Sequence, residues 1–232
     1  MKYHINKAAF TLAEVLITLG IIGVVAALTL PNLIANHQKK VTITRLKAAY
    51  QLFSEVIQKA QYDNGGSIDL SDEFLLIVQP QGHVSEISQL YIDPYIKGVE
   101  KYNGKTVYVK NKSLKNSYMV KYLNGYQAPM CIPNGLCYWV INHGANYRYI
   151  TVDLNGVKGP NVAGRDVFVF DVSGKSIPYL GTRGLVLPHP KDLTEEQINN
   201  QCNKTSSNTW NGETCFSKII KDGWEIKDDY PW

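Results

Sequence analysis

The chain has 232 residues, 44% of them hydrophobic and 19% charged, and a formal net charge of +4. This composition excludes a wholly disordered protein, and the length allows one moderate domain beside a membrane helix. The charge is local: residues 31–62 carry Lys39, Lys40, Arg45, Lys47 and Lys59 against Glu55, whereas residues 63–232 hold 17 basic and 18 acidic side chains and so offer no overall polyelectrolyte signal.

A short basic leader, MKYHINKAA, precedes the run FTLAEVLITLGIIGVVAALTLP from Phe10 to Pro31. Between Val15 and Leu30 only Thr18, Gly20, Gly23 and Thr29 interrupt the apolar side chains. About 20 such residues, at ~1.5 Å each, make a helix that crosses a hydrocarbon core of ~30 Å. A secretory signal peptide has its small-residue cleavage site after the apolar run. Here Ala8 and Ala9 come before it, so a cut after Ala9 keeps the hydrophobic helix and creates a new amine on Phe10. Glu14, one helical turn further on, costs roughly 2.5 kcal/mol or more deep in a bilayer and needs a partner. The Phe10 amine is the expected one, from the same chain or, on the better reading, from a neighbouring chain, because the helix N-terminus already offers Glu14 its unpaired amides.

These residues resemble the prepilin-type cleavage and methylation segment of type IV pilins and of the pseudopilins of type II secretion systems. The resemblance implies cleavage between Ala9 and Phe10, N-methylation of Phe10, an assembly role for Glu14 as the fifth mature residue, and a helix kink at Pro31. It also implies three kinds of partner: a prepilin peptidase/methyltransferase, other pilin or pseudopilin subunits, and an inner-membrane assembly platform. The chain would pass once through the cytoplasmic membrane with its C-terminal domain outside, then enter a filament in the periplasm or at the cell surface. Two positions depart from the family pattern: Ala9 stands where Gly is usual, and Ala13 where a larger aliphatic is common.

Lys2 and Lys7 favour a cytoplasmic leader, but Lys39, Lys40, Arg45 and Lys47 follow the span and pull the other way. The cysteines bear on the same question. Cys131 with Cys137 and Cys202 with Cys215 form two local pairs, and bridging them would put the domain in an oxidising space outside the cytoplasm. Two pairs of buried free thiols are the alternative.

Beyond Pro31 the helix is expected to continue, because Val41, Leu46, Ala49, Tyr50, Phe53, Val56, Ile57 and Ala60 recur at three- and four-residue steps. Residues 63–66, Asp-Asn-Gly-Gly, end it. The expected organisation is a leader over 1–9, a membrane or filament-core helix over 10–34, an amphipathic continuation over 35–62 and a β-rich domain over 63–232. A separate second helix after a linker at Pro31 is the alternative.

Leu70 to Val78 reads as a short helix and Ile87 to Ile96 as a helix or loop. Strands are expected over Thr106–Lys110, Tyr118–Leu123, Cys137–Ile141, Tyr147–Leu154 and Val167–Val172, with Gly, Asn and Pro between them. The fold class is therefore α+β: a long helix whose apolar stripe packs on an antiparallel sheet, which is also what the pilin resemblance implies. Pro133-Asn134-Gly135 suits a tight turn flanked by Cys131 and Cys137. The second cysteine pair closes a loop near the C-terminus, where in many pilins such a loop shapes the exposed surface; stapling of a loose tail is the plainer alternative.

Asp153, Asn155, Asn161 and Asp166 are hard oxygen donors spaced through a Gly-rich connection between two strands, which suits calcium, and some pseudopilins bind calcium in a loop of the sheet region. The same residue types are turn formers, so a structural turn is the simpler reading. No other cofactor is expected. Lys97, Lys101, Lys105, Lys110, Lys112, Lys115 and Lys121, interleaved with tyrosines, could track nucleic acid. A solvated β-face gives the same pattern more often, so nucleic acid is not the expected partner. The histidines have no zinc-site spacing, and no GxSxG, P-loop or GxGxxG is present, so an enzyme is not expected. The expected function is a structural subunit of a type IV pilus or type II secretion pseudopilus. A membrane-anchored extracytoplasmic binding module, such as an adhesin or DNA-capture minor pilin, is the rival.

Overall fold

A single helix, α1, spans Leu12–Asp63 and runs through Pro31 without interruption. This structure is a computed structural model and describes residues 11–63, 88–89, 91–102, 107–109, 120–122, 129–142, 148–172, 187–188, 193–203 and 214–232. The expected helix over Leu70–Val78 lies outside these residues. The chain divides into two compact units, Met1–Val41 and Thr42–Trp232.

In the first unit the helix is apolar nearly all round over residues 15–31, whereas residues 36–40 are polar. Its most hydrophobic stretch has a mean hydropathy of 2.3 with none of it buried, and it is long and apolar enough to cross a membrane. Thr18 and Thr29 do not leave their hydroxyls unpaired there: they donate to the carbonyls of Val15 and Val25, each at 2.9 Å. A polar group in an apolar stretch is tolerated when its own backbone satisfies it.

In the second unit the apolar residues of the helix form a stripe. Leu46, Ala49, Phe53, Val56, Ile57 and Ala60 are buried, and Tyr50 packs half-buried beside them. The stripe covers one face of a six-stranded antiparallel sheet of order β1-β4-β5-β6-β7-β8. Its strands are β1 Glu100–Lys101, β4 Met130–Cys131, β5 Cys137–Asn142, β6 Arg148–Asp153, β7 Val167–Asp171 and β8 Leu187–Pro188. A separate hairpin pairs β2 Val107–Val109 with β3 Val120–Tyr122. The architecture is α+β, as the alternation of β-branched and aromatic residues predicts. The Ile87–Ile96 segment resolves, from Ser88, into a helical turn followed by a 3₁₀ turn at Asp93–Tyr95.

Period-two alternation sends Tyr138, Val140, Ile150, Val152, Phe168 and Phe170 into the core under α1. The opposite face gathers Val109, Trp139 and Val167. Two short helices close the core: α2 at Glu195–Gln201 and α3 at Cys215–Lys221. The start of α2 is set by a capping box, in which Thr194 accepts from the Gln197 amide while the Gln197 side chain accepts from the Thr194 amide.

Aromatic rings join all three parts. Phe53 stands edge-on to Tyr138 at 5.2 Å and to Phe170 at 5.9 Å, and Phe170 lies 4.9 Å from Phe216 of α3. Tyr50 and Phe216 both reach Trp224, at 5.5 and 5.8 Å. Both expected disulfides are present, Cys131–Cys137 and Cys202–Cys215, and the second ties α2 to α3. Phe53→Ala should destabilise the second unit by about 3–5 kcal/mol, because the helix would lose its central ring in a close-packed core. Urea unfolding of the full chain in detergent, followed by near-ultraviolet circular dichroism, measures the loss.

Candidate functional site

Two places gather the residues that the sequence singles out. At the start of α1, Glu14 accepts hydrogen bonds from the Thr11 amide and the Thr11 hydroxyl, each at 2.8 Å, and the Glu14 amide donates back to Thr11 Oγ1 at 3.2 Å. This reciprocal cap satisfies donors that a helix N-terminus otherwise leaves open. The cleavage pair, Ala9 and Phe10, lies outside the described residues, and so does the partner expected for Glu14.

The second place is the connection between β6 and β7. Its entry is fixed by Gly156, whose φ of +71° is open to glycine and whose absent Cβ would lie 2.7 Å from the Gly135 carbonyl oxygen. The connection is thereby seated against the turn of the β4–β5 hairpin. In that turn the Gly135 amide donates to the Ile132 carbonyl at 3.0 Å, as Pro133-Asn134 at its centre predicts.

Asp153 is the last residue of β6, and its Oδ1 accepts from the Asn155 amide at 3.2 Å. The Asn155 side-chain amide donates to the Gly159 carbonyl at 2.8 Å. Asp166, just before β7, takes the Asn161 and Val162 amides on its two oxygens at 2.8 and 2.6 Å. Its own carbonyl accepts from the Leu154 amide at 2.8 Å, which closes the mouth of the loop. The four residues expected to act together are thus assembled in one loop.

Asp153 is 1% exposed and Asn161 7%. Three acceptors, Asp153 Oδ2, Asn155 Oδ1 and Asn161 Oδ1, are buried without a hydrogen-bond partner, although buried polar atoms are paired in the great majority of cases. Burial, reinforced by the charge of Asp166, pushes the Asp153 carboxyl up to about 8 against the opposing pull of the Asn155 and Gly156 amides. Burial raises Asp166 as well, opposed by the Val162 and Asn161 amides. Among the described residues no three His, Cys, Asp or Glu side chains converge, so the set is mixed: two carboxylates and two side-chain amides.

Two further features were not legible in the sequence. The Tyr230 hydroxyl donates to the Gly164 carbonyl, and the Arg165 guanidinium lies over the Trp232 ring at 5.1 Å, so the end of the chain rests on the same loop. The other feature is a groove of about 710 Å³ lined by Arg45, Leu52, Tyr95, Lys97, Pro133 and Leu154 among others. Of the lysine-tyrosine segment, Lys97 and Lys101 are exposed, whereas Lys105, Lys110, Lys112 and Lys115 lie outside the described residues.

These features define an α+β protein with an uncovered apolar N-terminal helix, a disulfide-stapled sheet and an oxygen-rich loop. The chain belongs to the family of unknown function DUF6613, whose model matches residues 32–232. The match begins one residue past Pro31 and takes in the whole second unit. No curated protein and no solved structure matches the chain.

Gly156→Ala should destabilise the second unit by about 1–3 kcal/mol, since it combines a left-handed φ with a backbone clash. A thermal melt of the variant beside the wild-type chain checks it.

Proposed function

We propose that the chain is a structural, pilin-like subunit, cut after Ala9 by a prepilin peptidase, methylated on Phe10 and assembled through its helix into a type IV pilus or type II secretion pseudopilus. The observation that carries this reading is the bare apolar surface of α1, where Leu16, Ile22 and Leu28 expose 61%, 63% and 72% of their area. Such a surface needs a cover, and lipid before assembly and sister helices afterwards both supply one at little difference in apolar transfer energy. The disulfides favour a second unit that matures outside the cytoplasm. In a filament Glu14 would exchange part of its own helix cap for a neighbour's Phe10 amine. A buried ion pair adds little net stability, but it can fix the register between subunits.

Glu14→Ala should leave membrane insertion and folding intact and abolish incorporation into filaments. Membrane fractionation alongside sheared-filament immunoblots reads both, and normal incorporation would remove Glu14 from the mechanism. A second reading, a tethered extracytoplasmic binding module, draws on the groove beside Arg45 and Lys97. Replacing residues 10–30 with an unrelated membrane helix separates the two, because an anchor needs only hydrophobicity whereas a filament core needs this surface.

The β6–β7 loop is read as a calcium site within that subunit. What supports it is the chemistry of the three unpaired atoms. All are oxygen acceptors, so the group they lack is an electron-pair acceptor, and the two carboxylates match the charge of a divalent ion. Oxygen-only donors disfavour zinc. Mg²⁺ keeps its waters, whereas Ca²⁺ accepts amide and carboxylate oxygens in a flexible shell of about 6–8. Calorimetric titration of the chelated full chain in detergent should show one Ca²⁺ bound. Asp153→Asn should weaken binding by about 100-fold, given how strongly ligand charge tunes such sites, while melting in chelator no lower than wild type because it replaces a buried carboxyl with a neutral amide of nearly the same shape. Equal calcium affinity in the variant would contradict the site.

A further inference from the structure

The turn that carries Asp166 also carries two contacts of the chain's last residues, and from that arrangement we infer that calcium in the β6–β7 loop latches the C-terminal segment Tyr230–Trp232 onto the loop. The inference rests on the calcium reading of the loop and adds what occupancy does. It does not depend on filament assembly.

The turn is tight. The amides of Arg165, Asp166 and Val167 all point at the Val162 carbonyl, at 3.0, 3.2 and 3.2 Å, and the Gly164 amide donates to the Val167 carbonyl at 2.8 Å. The Asp166 carboxylate receives the two amides that open the turn, from Asn161 and Val162. A cation drawing on Asp166 and Asn161 from one side and on Asp153 and Asn155 from the other would therefore fix the whole turn against the end of β6.

The outward parts of this turn are what the tail grips. The Gly164 carbonyl takes the Tyr230 hydroxyl, and the Arg165 guanidinium stacks on Trp232. Tyr230 is 1% exposed, so its hydroxyl has no water to fall back on if Gly164 moves. The tail is also held elsewhere: Asp229 pairs with Lys218 of α3 at 2.6 Å, and Tyr230 and Trp232 pack with the main core. That ion pair fixes where the tail starts, and the loop fixes where it ends. Without calcium, nothing joins the Asp166 side of the turn to the end of β6, and Gly164 and Arg165 hold the last three residues less firmly.

Coupling between two sites is reciprocal. If calcium tightens the tail, an intact tail tightens calcium by the same factor. Two measurements on the full chain in detergent test this. Hydrogen exchange read by mass spectrometry follows peptides covering residues 224–232 in chelator and in excess Ca²⁺. Calorimetry compares Ca²⁺ affinity in wild type, Tyr230→Phe and Arg165→Met, the last being a change at a half-buried side chain that keeps the buried tyrosine in place should Tyr230→Phe fold poorly.

The latch predicts slower exchange of the tail with Ca²⁺ than with chelator, and a calcium affinity reduced about 5-fold or more in at least one tail variant, the lower end of typical couplings. Ca²⁺ binding to wild type with tail exchange unchanged and affinity unaltered in both variants would overturn the latch and leave the calcium site standing. Absence of Ca²⁺ binding in wild type would overturn the site and the latch with it.

Discussion

The second unit depends on one contact surface, the stripe from Leu46 to Ala60 laid on the inner face of the sheet. Phe53 is its centre: fully buried, edge-on to Tyr138 and Phe170, and through Phe170 in touch with Phe216 of the C-terminal helix. A helix of this composition would not hold its place by propensity alone, because tertiary burial of one face supplies most helical stability in proteins. The sheet in turn owes its order to the helix. In β5, β6 and β7 the alternating residues Tyr138, Val140, Ile150, Val152, Phe168 and Phe170 share the core with that stripe, and a slip of one residue would turn the inward set outward.

The same chain therefore presents one continuous helix in two chemical settings. Over residues 15–31 its side chains are largely exposed and nearly all apolar; residues 36–40 are polar, and from Thr42 the side chains are divided between a buried stripe and a charged face. The boundary between the two compact units, after Val41, follows the polar residues 36–40 and lies within the region matched by the family model.

Much of this was legible because it is periodic. The three- and four-residue spacing from Val41 to Ala60 gives the stripe, and the β-branched and aromatic runs give β5, β6 and β7 nearly to their ends. The two-residue strands β1, β4 and β8 carry no pattern of their own, and only the partner strand decides that they pair. α2 carried a local signal in the Thr194-Glu195-Glu196-Gln197 capping box. The oxygen donors of the loop could be read from spacing, but not which of their atoms would be left without a donor. The contacts of Tyr230 with Gly164 and of Trp232 with Arg165 join residues more than sixty positions apart, and no local rule announces them.

The central claim is that the exposed helix is a surface for copies of this chain or its kin. Its most direct test is electron microscopy of filaments sheared from cells that express the full chain, labelled with antibody against residues 63–232. The account predicts label on filaments, with a subunit whose sequence begins at Phe10. Label confined to membrane vesicles, with Met1 retained and no filament decorated, would contradict it.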